Sequence, residues 1–255
     1  MNQQLRLTAS GSTLEPMVRK LEYRLKLSVE DRDAVLALPF TLRNVEPRHF
    51  LARERELTTH SCTLLSGYAI RSKLVATGHR QILAIHIKGE VVDLQNSFLK
   101  VADHSVEMLT SGRVAFVPRE EMTRIAFERP EVGRAMWEAT LVEGSICREW
   151  LANVGRRDAR ARIAHLLCEF SLRLQVAGIG EQTGYELPMT QEQIADATGL
   201  TAVHVNRTMK GLEKDGLIDR LRPRAIHIGN WRRLAAAGDF DSNYLHLHDA
   251  EPALV

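Results

Sequence analysis

Residues 187–218, LPMTQEQIADATGLTAVHVNRTMKGLEKDGLI, constrain this chain more than any other stretch, because they prescribe two short helices separated by a tight glycine turn. Thr190 precedes the first helical run and Gln193 follows three residues later. That is the spacing of a capping box, in which the hydroxyl serves the first turn and the amide side chain reaches back. Ile194, Ala195 and Thr198 share one helical face. Gly199 stands where the chain must take a conformation that costs glycine least. Thr201 opens the next helix, whose apolar stripe of Val205, Met209 and Leu212 fastens it to a domain. His204, Arg207 and Lys210 lie on the opposite face, free to enter a major groove. A helix-turn-helix of this kind makes double-stranded DNA the expected partner.

At 255 residues the chain is long enough for one large domain or two of ordinary size, and its change of pattern favours two. Hydrophobic residues at 44% and charged residues at 26% are globular values that speak against disorder and against a membrane protein. No apolar run is long enough to cross a bilayer, and MNQQLRLTAS lacks the basic-then-apolar order of a signal peptide, so a cytoplasmic location is expected. Cys62, Cys147 and Cys168 are odd in number and far apart, which suits ordinary thiols and gives neither a disulfide framework nor a metal knuckle. His60 with Cys62, and His246 with His248, offer two ligands each, too few for a metal site. Phosphate-binding glycine loops, a nucleophile elbow and an HExxH pair are all missing, so an enzyme is not expected.

The net charge is only +2, so affinity for DNA depends on where the charge is placed. Arg156, Arg157, Arg160 and Arg162 lead into the helix-turn-helix half, and Arg220, Arg222 and Arg224 follow it. All are candidate phosphate contacts. The last residues, 239–255, hold acids and no Lys or Arg, and read as a docking tail.

Along the chain, residues 1–15 read as a loose arm, followed by two short helices, MVRKLEYRL and VEDRDAVLAL, the second opened by Ser28. From Thr41 to about Val117 short β-rich runs alternate with turn residues at Gly67, Gly78, Gly89 and Gly112, a pattern of an antiparallel barrel or sandwich. A long helix begins after Pro130. Within it Val132, Met136, Ala139, Val142, Ile146 and Trp150 keep a three-and-four spacing, which marks a candidate dimer face. Asn153, Val154 and Gly155 are expected to break that helix before a second one over 156–177, with Ile163, Leu166, Leu167, Phe170 and Leu174 on its buried side.

These motifs resemble the Crp/Fnr family of bacterial transcription factors, named for the cyclic-AMP receptor and the fumarate-nitrate regulator. The resemblance covers roughly residues 20–230. It is specific in the helix-turn-helix with its wing-like RLRPRAIHIG, and weaker in IHIKGEVVDLQ and SGRVAFVPREEM, which stand where the family has an eight-stranded sensor roll. It implies an α+β chain: a cyclic-nucleotide-binding-like jelly roll over 16–129, a dimerisation helix over 130–154, a winged helix-turn-helix over 155–233 and an acidic tail over 234–255. It further implies a homodimer on a palindromic operator, with RNA polymerase as a second partner. By the family's pattern Thr201, Ala202, Val203, His204 and Arg207 face the bases. Arg207 is the strongest candidate, since a guanidinium takes both guanine acceptors at once. Val203 stands where many relatives have a glutamate, and can lie against a thymine methyl instead. Thr190, Gln191 and Thr201 are candidate phosphate anchors, with Asn206 and Lys210 at the rim.

Members of the family that bind cyclic AMP hold it with a glutamate and an Arg-Ser pair on a short loop. Here Gly89 and Glu90 are followed by Leu94 or nearby Asp93 at the glutamate position, and by His104 and Ser105 in place of Arg-Ser. A neutral imidazole cannot replace a bidentate guanidinium on a phosphate, so cyclic AMP is not the expected effector. The iron–sulfur cysteine cluster is missing as well. Haem could use His79, His86, His104 or Cys62 as an axial ligand, but nothing in the sequence singles one out, and no cofactor is assigned. The second reading of the chain is therefore a haem, metal or small-molecule sensor that acts through a protein partner.

Overall fold

The computed structural model describes residues 13–23, 25–181, 184–222 and 224–247. Most of the N-terminal arm, residues 1–12, lies outside them, as do the tail beyond Leu247 with His248 and the side chain of Arg222. The chain divides into two compact units, residues 1–73 with 84–143 and residues 74–83 with 144–255.

In the first unit, helices α1 (Glu15–Glu22) and α2 (Val29–Leu36) precede the strands, and the Ser28 side chain accepts from Asp31 N as the expected cap of α2. Strands β1 (Thr41–Val45), β3 (His60–Leu64) and β7 (Gly112–Pro118) form one antiparallel sheet with β7 in the centre. Strands β2 (Phe50–Ala52), β4 (Ala69–Leu74), β5 (Arg80–His86) and β6 (Ser105–Met108) form the other, in the order β2-β6-β4-β5. Alternation along these strands turns Val45, Cys62, Leu64, Val106, Met108 and Val114 toward one another, so the two sheets enclose an apolar core. Gly67, Gly78 and Gly89 all have positive φ, as turn residues with no side chain allow.

Helix α3 (Arg119–Glu128) follows β7 directly, and α4 (Pro130–Arg156) begins at the expected proline. Met122, Ile125, Val132, Ala135 and Met136 pack with Met17, Val18 and Leu21 of α1 in a second core.

Helix α4 does not stop at Asn153–Gly155 as the sequence suggested. It runs to Arg156, and the break falls at Arg157 and Asp158, where the Asp158 side chain accepts from Ala161 N and caps α5 (Ala159–Val176). Asn153 is 5% exposed and its amide nitrogen donates to Arg162 O at 3.3 Å, so the side chain bridges to α5 from within the continuous helix and does not end it. Helices α6 (Gln191–Thr198) and α7 (Ala202–Lys214) form the helix-turn-helix. A three-stranded sheet, β8 (Gly184–Glu186), β9 (Ile218–Arg222) and β10 (Ala225–Ile228), supplies the wing in the order β8-β10-β9. Helix α8 (Trp231–Ala237) and a 3-10 turn over Ser242–Leu245 complete the second unit. Ile163, Leu166, Leu167, Phe170 and Leu174 are all buried, and Tyr185 donates to Leu167 O at 3.0 Å, which pins β8 to α5.

The capping box at α6 is complete: Thr190 Oγ1 accepts from Gln193 N at 3.2 Å, and Gln193 Oε1 accepts from Thr190 N at 2.8 Å. Thr190→Ala should therefore destabilise the chain by about 1 kcal/mol and lower the melting temperature by about 2–4 °C, read by circular dichroism. An unchanged melting point would mean that α6 is held by packing alone.

Candidate nucleic-acid interface

Thr201 caps α7 by accepting from His204 N, and Gly199 makes the turn at φ +65°. Val205, Met209 and Leu212 are buried at 0–3% exposure, so the helix is fixed by the stripe that the sequence marked. The opposite face carries Val203, 80% exposed, then Arg207, Lys210 and Lys214, all exposed and in line at helical spacing. Ala202, His204 and Asn206 are half-buried beside it. Arg207 makes no hydrogen bond or ion pair with the described residues. At the start of α6, Thr190 is exposed and Gln191 half-buried, beside first-turn backbone N–H groups that no helix carbonyl takes up.

Several arginines named as phosphate contacts are instead structural. Arg157 is 14% exposed and lies 2.7 Å from Glu149 Oε1 and 3.0 Å from Asp239 Oδ2. Arg162 donates to Arg157 O at 2.8 Å and to Thr198 O at 3.1 Å, which ties the start of α5 to the end of α6. Arg160 pairs with Asp215 at 2.7 Å, and Arg220 with Glu213. Arg156 and Arg224 stay exposed. The sequence shows the charge run but not the acids that meet it from far along the chain, such as Asp215 for Arg160 and Asp239 for Arg157.

The stripe proposed as the dimer face also changes role. Val132, Met136, Val142 and Trp150 are 0%, 4%, 8% and 7% exposed, and Ala139 and Ile146 pack against apolar clusters of their own chain. This is the inner face of α4. The outer face carries Trp137, Leu141 and Leu151 at 69%, 56% and 74% exposure, with Gly144 and Arg148 between them. Those five positions step by four and three residues, the repeat of a coiled-coil seam.

In the first unit the candidate effector residues are each engaged by neighbours of their own unit. Gly89 has φ +92°, and a Cβ there would stand 2.5 Å from Pro16 O, so its bareness accommodates the start of α1. Glu90 lies 2.9 Å from Lys20 Nζ and 3.1 Å from His86 Nδ1. His104 is held at Nδ1 by Asp103 and at Nε2 by Gln95 at 3.1 Å, and Ser105 Oγ accepts from Glu54 N. Asp93 is different: it is 1% exposed, with Oδ1 accepting from Cys62 N at 2.8 Å and Oδ2 without a hydrogen-bond partner. Three further residues share that condition: His86, already a candidate axial ligand, and Arg71 and Asn96, which no motif marked. Arg71 Nε, His86 Nε2 and both amide atoms of Asn96 are buried without partners, although Arg71 also donates to Val92 O at 2.7 Å and pairs with Glu143. The available signal was a guanidinium in the middle of the strand run CTLLSGYAIRSKL. Among the described residues no group of three His, Cys, Asp or Glu side chains could hold a metal ion, and no helix is long and apolar enough to cross a membrane.

The family described as the Crp-like helix-turn-helix domain matches residues 161–237. The chain is similar to the transcriptional activator protein FnrL of Cereibacter sphaeroides, 27% identical over 184 residues that cover 71% of this chain and 73% of that one. It is similar to the nitrogen fixation regulation protein FixK of Bradyrhizobium diazoefficiens, 30% identical over 165 residues that cover 65% of this chain and 68% of that one. The solved structure of FixK2 from Bradyrhizobium japonicum superposes with a TM-score of 0.71 at 25% identity, covering 86% of this chain and all of the other.

Burial pushes the Asp93 carboxyl up to about 6, against the pull of the Cys62 N–H and the Arg71 guanidinium. A folded value above the ordinary 3.8 means that this group favours the fold most at low pH, and that the benefit is lost as pH rises toward 6. Asp93→Asn keeps the acceptor for Cys62 N and removes the ionisation, so it should be roughly 3 kcal/mol more stable than the native chain at pH 8. The difference should shrink as pH falls through 6 toward 4. Denaturant melts of both chains across that range check it, and a difference independent of pH would refute the assignment.

Proposed function

Because the chain belongs to the Crp/Fnr family of DNA-binding transcription regulators, we propose that it reads a two-fold symmetric operator as a homodimer, with α7 of each copy in a major groove. The observation that carries this reading is the contrast on the second unit. Arg157, Arg160, Arg162 and Arg220 are tied to acids or carbonyls of the chain, whereas Arg207 points outward unpaired from the middle of a helix whose other face is buried. A guanidinium left unpaired beside exposed Lys210 and Lys214 suits a guanine edge with phosphates alongside. Val203 offers an apolar contact to a thymine methyl. Thr190, Gln191 and Thr201, at the two helix starts, anchor phosphates with hydroxyl, amide and backbone N–H groups.

The second copy meets the outer face of α4, along Trp137, Leu141, Gly144, Arg148 and Leu151. Large apolar side chains this exposed on one seam are what a partner helix covers, and Gly144 allows close approach. One helix-turn-helix reads too few base pairs for useful specificity, which a two-fold pair corrects. Cyclic AMP is not the signal in this reading: Glu90 and His104 are already held by Lys20, His86, Asp103 and Gln95, and no arginine stands at 104. RNA polymerase is the further partner that a regulator of this kind addresses.

Selection of bound sequences from random duplex DNA supplies the operator, and competition titrations at two salt concentrations then test the residues. Arg207→Ala should relax preference at one base pair per half-site by about 1–3 kcal/mol. Arg156→Ala should weaken all sequences alike and lower the salt slope by about 1. Equal losses on every sequence from Arg207→Ala would end its role as a base reader. For the dimer, the double variant Leu141→Glu, Leu151→Glu should sediment as a monomer and lose roughly 10²-fold or more in operator affinity. A variant that stays dimeric would place the interface elsewhere.

A further inference from the structure

Residues 238–247, the described part of the expected tail region, lie against α5 in a revealing place. Gly238 lies against α5 so closely that a Cβ there would stand 2.6 Å from His165 N and 2.9 Å from Ala164 C. His165, 1% exposed, reaches Gly238 O through Nδ1 at 3.2 Å and Tyr244 Oη through Nε2 at 3.1 Å. Tyr244 in turn donates to Glu169 Oε2 at 2.9 Å. The same carboxylate, itself 1% exposed, accepts from Trp150 Nε1 at 2.8 Å and from Arg173 at 3.1 Å. Trp150 belongs to α4, Glu169 and Arg173 to α5, and Tyr244 to the tail. A second tie spans the same break: Arg157 holds Glu149 of α4 at 2.7 Å and both the carboxylate and the carbonyl of Asp239 at 3.0 Å. Around these bonds Ile146, Leu172, Phe240, Tyr244, Leu245 and Leu247 share one apolar cluster.

We infer that residues 238–247 are an intramolecular strap that sets the angle between α4 and α5 at Arg157–Asp158, and so the placement of the reading helix relative to the last turns of α4. The strap reinforces a joint that α4 and α5 already make directly through Trp150–Glu169, since Tyr244 shares that carboxylate with Trp150 and Asp239 shares the Arg157 guanidinium with Glu149. Beside the strap lies a half-open cleft of about 270 Å³ lined by Leu172, Trp231, Ala235, Phe240, Asp241 and Ser242. A short strap held by a few polar bonds and one small apolar cluster, with an open cleft at its border, can be released without unfolding the helices beneath it. Docked, it holds the geometry for DNA; released, it leaves the joint at 157–158 to the Trp150–Glu169, Asn153–Arg162 and Arg157–Glu149 contacts alone.

Two truncations and one point variant test this, and the part read on DNA rests on the DNA-binding reading above. A chain ending at Leu247 keeps the strap and should bind the selected operator as the full chain does. A chain ending at Gly238 should remain a folded dimer by circular dichroism and sedimentation, exchange its amides over 150–165 about tenfold faster, and lose about tenfold in operator affinity. Tyr244→Phe keeps the ring and its packing but not the hydroxyl, and should move both readouts in the same direction by about threefold, which covers the case in which the truncated chain does not fold. Native exchange rates in Tyr244→Phe, or full affinity in a folded dimer ending at Gly238, would overturn the inference. Should the full chain bind no DNA at all, the failure lies with the earlier reading, and exchange over 150–165 decides the strap by itself.

Discussion

Taking the Glu169 carboxylate out of water is a cost of several kcal/mol unless donors replace the solvent, and the second unit is arranged to provide them. Trp150, Arg173 and Tyr244 come from α4, from α5 itself and from the C-terminal segment, so one buried group ties three separate pieces of chain. Losing any donor leaves the others around an under-satisfied carboxylate, which costs more than the missing bond alone. Hydrophobic packing of Ile146, Leu172 and Leu245 brings these pieces together without direction, and the carboxylate gives the arrangement its direction.

The same economy governs the cations. A chain with a net charge of +2 has little positive charge to spare, and Arg157, Arg160, Arg173 and Arg220 of the DNA-binding half neutralise acids of their own unit. Arg162 goes further, because its two bonds to Arg157 O and Thr198 O cap carbonyls at the ends of two elements and stiffen the platform under the reading helix. What is left unpaired on α7 is then a sparse, directed set of charges and not a diffuse basic surface. Sparse charge favours discrimination over strength, since phosphate attraction adds affinity for every sequence equally.

Local signals were fully legible in the sequence. The capping box at Thr190 and Gln193, the turn at Gly199, the stripe of Val205, Met209 and Leu212, and the cap at Ser28 each depend on residues within a few positions of one another, and each stands in the structure as read. Contacts made across long separations were not legible. Arg157 meets Asp239 82 residues away, and Tyr244 meets Glu169 75 residues away, so neither the role of the arginine nor the seat of the tail could be read from spacing. The polar interior of the first unit was legible only in part: Asp93 and His86 stood out as candidates, whereas Arg71 and Asn96 did not, because only the closed pair of sheets brings these segments inside.

Helix α4 shows why periodicity alone misleads at an interface. It has two apolar faces, and the more regular one, Val132 to Trp150, covers the chain's own cores because a core demands an unbroken stripe. The other face is interrupted by Gly144 and Arg148, which looks weaker by count, yet a seam between two helices tolerates a small residue for close approach and a charged one whose head reaches the solvent. A helix that must satisfy both surfaces cannot rotate about its axis without exposing one stripe or burying Arg148. The inner stripe and the Trp150–Glu169 bond together therefore fix which side chains the outer face presents to its surroundings.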